Sequence, residues 1–240
     1  MSGEFDAGAP ESMWRAWHRL RELPVLQIPP AARLVIVAPH PDDETLALGG
    51  LLAVHENCLL VGVTDGEASH PRSRVLTPAQ LADRRRDERR AALTRLGRGE
   101  LPVELAGHPD GAVDEALLSK QLATLLRPGD ICLATWRRDR HPDHEAVGRA
   151  AAAASDAVGV PLWEYPVWMW HWARPEDARV PWARARPIPL SAATRARKRD
   201  AVLAFRTQLE PLGNGPDEAA VLPAEVLAHF DRDAEIVFLP

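Results

Sequence analysis

A chain of 240 residues with 46% hydrophobic and 26% charged residues has the make-up of an ordinary folded domain, which excludes wholesale disorder, collagen-like repeats and a coiled-coil rod. The formal net charge of -5 argues against a nucleic-acid surface as its main business, and no apolar stretch approaches the ~20 residues that cross a bilayer. Only two cysteines, Cys58 and Cys132, sit inside apolar runs, and the N-terminus lacks a charged-then-apolar leader. The expectation is a cytoplasmic protein with reduced core thiols.

Residues 1–30 are expected to form an N-terminal arm, helical around Trp14 to Leu23 and ended by Pro24 and Pro29-Pro30, with Trp14 and Trp17 as its apolar anchors. Residues 31–240 are expected to make one domain. The run Leu34 to Ala38 is short, rich in β-branched side chains and free of alternation, as a strand buried on both faces should be. Helical spacing follows from Glu44 to Val54, then a second apolar strand from Cys58 to Val63 and a long helix from Pro78 to Leu96, closed by Gly97. Val103 to Ala106, Ile131 to Thr135 and Val160 to Val167 read as further strands, with helices over Val113 to Leu126 and about Asp143 to Ala157 between them. Such alternation over residues 34–167 predicts a Rossmann-like three-layer α/β/α domain with a mostly parallel sheet. The remainder is expected to supply a Trp/Pro-rich lid over 168–190, a helix from Ser191 to Leu209 and a last strand from Ile236 to Leu239.

In sheets of this kind ligands bind beyond the carboxyl ends of the strands. Two polar clusters fall there: His40-Pro41-Asp42-Asp43-Glu44 after the first strand and His141-Pro142-Asp143-His144 after the fourth. Helix capping would use one aspartate of the first cluster and leave the other unexplained. Imidazole and carboxylate on converging loops, with no thiolate beside them, point instead to a divalent ion, with Zn²⁺ in a three-ligand site as the first expectation and Fe²⁺ as a fit almost as good. Zinc lowers the pKa of a bound water to about 7 and polarises a carbonyl, so the expected reaction is hydrolysis. Two neighbouring aspartates suit a division between ligand and base. The two histidines of His-x-x-His lie about one helical turn apart, so one can ligate while the other faces an oxyanion or leaving group.

The string Ala38-Pro39-His40-Pro41-Asp42-Asp43-Glu44, followed by Gly49-Gly50, resembles the signature of the LmbE/PIG-L-like zinc-dependent N-deacetylases, and His141-Pro142-Asp143-His144 resembles that family's second histidine box. Supporting landmarks occur in order: Thr64-Asp65-Gly66-Glu67, Arg85-x-x-Glu88, Leu96-Gly97, Pro109-Asp110-Gly111, Lys198 and Gln208. The resemblance spans residues 34 to about 210. It implies that His40, Asp43 and His144 hold zinc, that Asp42 is the general base and that His141 assists as electrophile or acid. It further implies removal of acetyl from an N-acetylglucosaminyl small molecule or glycoconjugate, with Arg85, Asp110 and Glu67 against the sugar. Arg85 could equally be a solvated helix arginine and Asp110 a turn residue. Some relatives carry a tyrosine two residues before the second box, where this chain has Asp139, and its only tyrosine is Tyr165.

Five of the eight tryptophans lie at 163, 168, 170, 172 and 182. Trp170 is the candidate for a sugar platform, against packing of the C-terminal segment or an oligomer interface. If extended, the segment would put Trp168, Trp170 and Trp172 on one face and His171 on the other. His70 is a further pocket candidate, while His55, His108 and His229 read as surface or structural. A small amino-sugar substrate is the expected partner, with no nucleic acid and no membrane span, and a homo-oligomer is left open. The alternatives are an amidase cleaving a larger amide, such as a thiol-conjugate of a pseudodisaccharide, and a Mg²⁺-dependent nucleotide-binding Rossmann-like module. Against the last, no G-x-G-x-x-G or Walker loop follows the first strand, and Mg²⁺ seldom recruits two histidines.

Overall fold

The apolar runs Leu34–Ala38, Cys58–Gly62 and Ile131–Thr135 become strands with both faces covered, whereas the short run Val103–Leu105 becomes an edge strand that is largely open. The computed structural model describes residues 8–240. In chain order its elements are α1 (Glu11–Ala16), α2 (Arg19–Glu22), β1 (Leu34–Ala38), α3 (Asp43–Val54), β2 (Cys58–Gly62), α4 (Pro78–Arg95), β3 (Val103–Leu105), α5 (Glu115–Leu125), β4 (Ile131–Thr135), α6 (Pro142–Val158), β5 (Leu162–Tyr165), α7 (Met169–Trp172), β6 (Ala185–Pro189), α8 (Ala192–Val202), α9 (Arg206–Leu209), α10 (Ala224–Leu227) and β7 (Ala234–Phe238). They make one seven-stranded sheet in the order β3-β2-β1-β4-β5-β7-β6. The first five strands run parallel, and β7 and β6 close the sheet antiparallel. Among the described residues no helix is long and apolar enough to cross a membrane.

The alternation of side chains along β1 separates two cores. Leu34, Ile36 and Ala38 pack toward α3, α8 and the arm, whereas Val35 and Val37 pack toward α5 and α6. Consecutive crossovers from β1 and β4 therefore leave on opposite faces, and the crevice between these two adjacent strands is the topological switch point of the sheet.

Three features of the C-terminal third differ from the sequence expectation. First, β6 (Ala-Arg-Pro-Ile-Pro) is a strand despite its prolines, because it lies at the sheet edge where missing N–H donors cost nothing on the outer side. Second, the expected helix 191–209 breaks at Ala204-Phe205 into α8 and α9, with Phe205 at φ -81°, ψ 56° and fully buried. Third, residues 169–172 form a helical turn, so the three alternating tryptophans do not share a face. Trp170 lies in the core 5.1 Å from Trp14, with the Arg232 guanidinium 3.8 Å above its ring. Trp182 packs on Trp14 and Trp17 of the arm. The arm is anchored by Trp14 and Trp17 as expected; its first seven residues lie outside the described ones.

A buried ion pair fixes the helix that carries the first acidic loop. Leu48 breaks the α3 helix geometry at φ -131°, and Glu235 of β7 accepts the Gly50 and Leu51 N–H groups at 2.7 and 2.9 Å while Lys198 of α8 donates to it at 2.7 Å. Gly50 leaves room for Leu190, whose methyl would lie 2.3 Å from an added Cβ and would have to shift.

Candidate active site

The loops after β1 and β4 meet at the switch point. His40 follows β1, Asp43 opens α3, His141 caps α6 and His144 lies in its first turn. The start of α6 is seated on its own strand, with Thr135 Oγ1 donating to the His144 carbonyl at 2.9 Å and Gly148 allowing contact with the Thr135 carbonyl, where a Cβ would come within 2.5 Å. Ring centroids of His40, His141 and His144 lie 4.5 to 5.4 Å apart.

His40 and His144 each turn one ring nitrogen to an outer carboxylate and the other toward Asp43. His144 Nδ1 donates to Asp139 at 2.7 Å, and its Nε2 lies 3.3 Å from Asp43 Oδ2 without making a hydrogen bond. His40 Nε2 faces Asp143 at 3.1 Å and Asp110 at 3.2 Å, while its Nδ1 lies 3.2 Å from the same Asp43 oxygen. Ligands at about 2.0–2.1 Å from a tetrahedral ion stand roughly 3.3 Å from one another, and the 3.2 and 3.3 Å edges here match. The orphaned, fully buried His144 Nε2 has no other partner, and two nitrogens plus one carboxylate oxygen form a donor set that suits Zn²⁺ or Fe²⁺. His40, Asp43 and His144 thus make a site that could hold a metal ion. Carboxylates behind the ligating imidazoles fix their orientation and raise their basicity.

The electrostatics agree. Burial opposes ionisation of Asp43, but the facing His144 and His40 outweigh it and hold the carboxyl well below its ordinary range. Burial likewise opposes charge on His144, and Asp43 with Asp139 overcomes it and lifts the group to about 9. Both shifts have one cause, the close pairing of Asp43 with the imidazoles of His40 and His144. Burial pushes Asp42 up to about 6 against the pull of Arg85, and burial together with positive His144 and His40 takes His141 down to about 3. His141 is therefore a neutral imidazole, and its Nδ1 is buried without a hydrogen bond.

A cavity of about 590 Å³ opens over this cluster, with Asp42, Asp43, His40 and His141 on its floor. Arg85 and Asp110 also line it, yet both are held by the protein: Arg85 donates to Asp42 at 3.0 Å, to the Pro41 carbonyl at 3.1 Å and to the Gly66 carbonyl at 2.8 Å. Asp110 accepts from Ala68 N at 2.8 Å and faces His40, and Glu67 accepts from Asp110 N at 2.9 Å without itself lining the cavity. The geometry makes these three supports of the floor. Trp170 does not line the cavity; Trp168 does, its ring 5.5 Å from His141. The other wall comes from residues 220–230 and not from Trp182 of the expected lid, which packs on the arm. His70 is buried outside the cavity, bonded to Ser69 Oγ and the Ala219 carbonyl.

Asp139 is the residue of this site that sequence reasoning did not assign. Fully buried, it accepts the N–H groups of Val167, Trp168 and Met169 besides the His144 ring, and so ties α7 to the metal-site histidine. The signal was its place two residues before the second histidine box. It offers no phenolic donor, and Tyr165 offers none either, its hydroxyl donating to the Val37 carbonyl at 2.7 Å inside the core.

A family model described as PIG-L, GlcNAc-PI de-N-acetylase, matches residues 35–155, half of the chain, so the chain belongs to the PIG-L family and with it to the hydrolases that act as N-deacetylases. Solved structures share its fold: the zinc-inhibited form of teicoplanin deacetylase Orf2 at 21% identity and TM-score 0.58, covering 87% of this chain and 97% of that one. N,N'-diacetylchitobiose deacetylase from Pyrococcus horikoshii does so at 18% identity and TM-score 0.57, covering 82% and 78%. So does GalB, the 4-carboxy-2-hydroxymuconate hydratase of Pseudomonas putida KT2440, at 18% and 0.58, covering 87% and 95%. No curated protein sequence matches the chain significantly.

Proposed function

We propose that this protein is a zinc-dependent deacetylase that removes acetyl from the nitrogen of an N-acetylglucosaminyl-type small molecule or glycoconjugate. The observation that carries the reading is the set of His40 Nδ1, Asp43 Oδ2 and His144 Nε2, in which His40 and Asp43 line a cavity with Asp42 and His141 and His144 lies buried directly behind Asp43. Zinc held by those three residues would polarise the acetamide carbonyl and acidify a water. Asp42 takes the proton of the attacking water; its raised pKa suits a base that must later return the proton to the departing amine. Arg85 holds the Asp42 carboxylate in place. Neutral His141 donates one ring N–H to the developing oxyanion, and Trp168 against its ring restricts its orientation. Acetate and the free amine leave.

The same fold in a hydratase raises a second reading, addition of water to an unsaturated carboxylate. Charge speaks against it: among the described residues lining the cavity Arg85 is the only arginine or lysine, and its guanidinium is committed to Asp42 and two carbonyls. A carboxylate-rich substrate would find no counter-ion beyond the metal. The test is amine release from a panel of N-acetylglucosaminyl glycosides by the zinc-loaded protein, before and after a chelator. Chelator-sensitive amine formation is expected; no amine from any acetamide, with consumption of an unsaturated carboxylate instead, would replace this reading by the other.

A further inference from the structure

A second cavity lies apart from the catalytic floor, where the N-terminal arm runs beside β6 and β7 at the edge of the sheet. Its volume of about 420 Å³ falls within the roughly 300–1,000 Å³ of ligand pockets, and it shares no lining residue with the cavity over the β1 and β4 loops. Trp17, Leu20, Val25, Pro187, Pro189 and Ile236 give it apolar surface. Arg15 and Arg21 of the arm, Arg195 of α8 and Arg232 give it guanidinium groups, against one lining carboxylate, Asp233. Two further carboxylates stand behind these arginines and fix them. Glu11 pairs with Arg15 at 3.0 Å and with Arg232 at 2.6 Å, and Asp231 accepts from Nε and Nη2 of Arg195 at 2.8 and 3.0 Å. Arg21 has no carboxylate partner among the described residues; its Nη2 donates to the Arg15 carbonyl at 3.3 Å. The four guanidiniums outnumber Glu11, Asp231 and Asp233, and Arg199, 3.8 Å from Asp231, adds to the positive surplus.

Donors are in excess beneath the surface as well. The indole N–H groups of Trp14 and Trp17 and Nη1 of Arg232 are buried with no acceptor among the described residues. Buried donors without partners are rare in folded proteins and cost free energy. All three belong to residues lining this cavity, and no side-chain acceptor of the lining is orphaned in the same way. Low-dielectric walls around charge of one sign concentrate counter-ions.

We infer that this cavity binds an organic anion, a carboxylate on an apolar ring or chain, with the carboxylate drawn to the guanidiniums of Arg21 and Arg195 and the body against Trp17, Leu20 and Pro189. The site is separate from the deacetylase reading and does not depend on it. A ligand there touches both the arm and the sheet edge, so it stabilises the docked arm by linkage. The same arm holds residues beside the catalytic cavity, Gly8 N donating to the His171 carbonyl at 3.1 Å and Glu11 pairing with His229 Nδ1 at 2.9 Å.

The experiment titrates the full chain with 4-phenylbutyrate in the presence of a metal chelator, so that no ion in the catalytic site takes the carboxylate. Tryptophan fluorescence reads binding, and hydrogen exchange over residues 11–22 reads docking of the arm. Saturable binding with added exchange protection of the arm is expected. Arg21→Gln, a change at an exposed side chain, should weaken it by about tenfold or more, as loss of a hydrogen bond to a charged group does. On the unaltered protein, the neutral 4-phenylbutanol and the small anion acetate should each bind at least about tenfold more weakly, which shows that charge and apolar body are both read. Equal affinity for the alcohol, or no saturation at millimolar 4-phenylbutyrate, overturns the inference. Inorganic phosphate that competes as well as 4-phenylbutyrate reassigns the cavity to a bare oxyanion and overturns it. Arg21-dependent binding to phosphatidylserine vesicles, without binding of the free carboxylate, reassigns it to a lipid surface and overturns it too.

Discussion

The loops after β1 and β4 and the segment 219–230 face each other across one cavity but are held by different physics. The loops are locked by buried charge-assisted hydrogen bonds and one close charge pairing: Asp43 bonded to His40 and facing His144, Asp139 behind His144, Asp110 and Asp143 behind His40, and Arg85 behind Asp42. The opposite segment is held by fewer polar contacts, Leu222 N to the Gln208 carbonyl at 2.9 Å, the Ala219 carbonyl to His70 at 3.1 Å and His229 to Glu11 at 2.9 Å, with apolar packing between them. A network in which each polar group depends on its neighbours tolerates no missing member, whereas an apolar wall can be recut one methyl at a time. On the proposed deacetylase function, the chemistry is assigned to the first region.

Substitutions should break this contrast in graded steps. Asp43→Ala removes the oxygen shared by both imidazoles and should abolish both zinc retention and amine release, measured by metal analysis and a fluorogenic amine assay. Asp42→Asn should keep the metal and lower kcat by roughly 10²–10⁴-fold, the usual contribution of a general base; normal turnover in that variant would remove Asp42 from the mechanism. Asp139→Asn should weaken zinc affinity by about 10–100-fold, as loss of a carboxylate behind a ligating histidine does, read by competition with a chromophoric chelator. The smallest effect lies at the docking of the N-terminal arm. Burial opposes ionisation of Glu11, but hydrogen bonds from His229 and Arg232 outweigh it and hold the carboxyl at about 2. Because that pKa is lowered from 4.5, the docking it contributes is complete above about pH 4.5 and fades as pH falls toward 2. Glu11→Gln should flatten this acid dependence of arm protection in hydrogen exchange without moving the zinc affinity.

The same contrast explains what could be read from the sequence. The parallel strands announce themselves because burial on both faces demands unbroken apolar runs, and Leu34–Ala38 and Ile131–Thr135 supply them. The two histidine clusters are legible because they follow those runs directly. Beyond β5 the signals fade: β6 contains two prolines and an arginine that only an edge position tolerates, and α10 is four residues long. The wall of Leu222, Val226 and Phe230 shows a four-residue spacing, but nothing local says which cavity it faces. Asp139 was visible only as a departure from the tyrosine of some relatives, and its role depends on the amides of residues 167–169, which the fold alone brings to it. Trp170 misled because its type suits a sugar platform, whereas its position suits a core partner for Trp14 and Arg232.

The central claim is that one divalent ion joins the first and fourth strand loops. Anomalous diffraction at the zinc edge from crystals of the metal-loaded protein tests it most directly. The account predicts a single strong peak per chain within bonding distance of His40 Nδ1, Asp43 and His144 Nε2; a peak elsewhere, or none at full zinc loading, would contradict it.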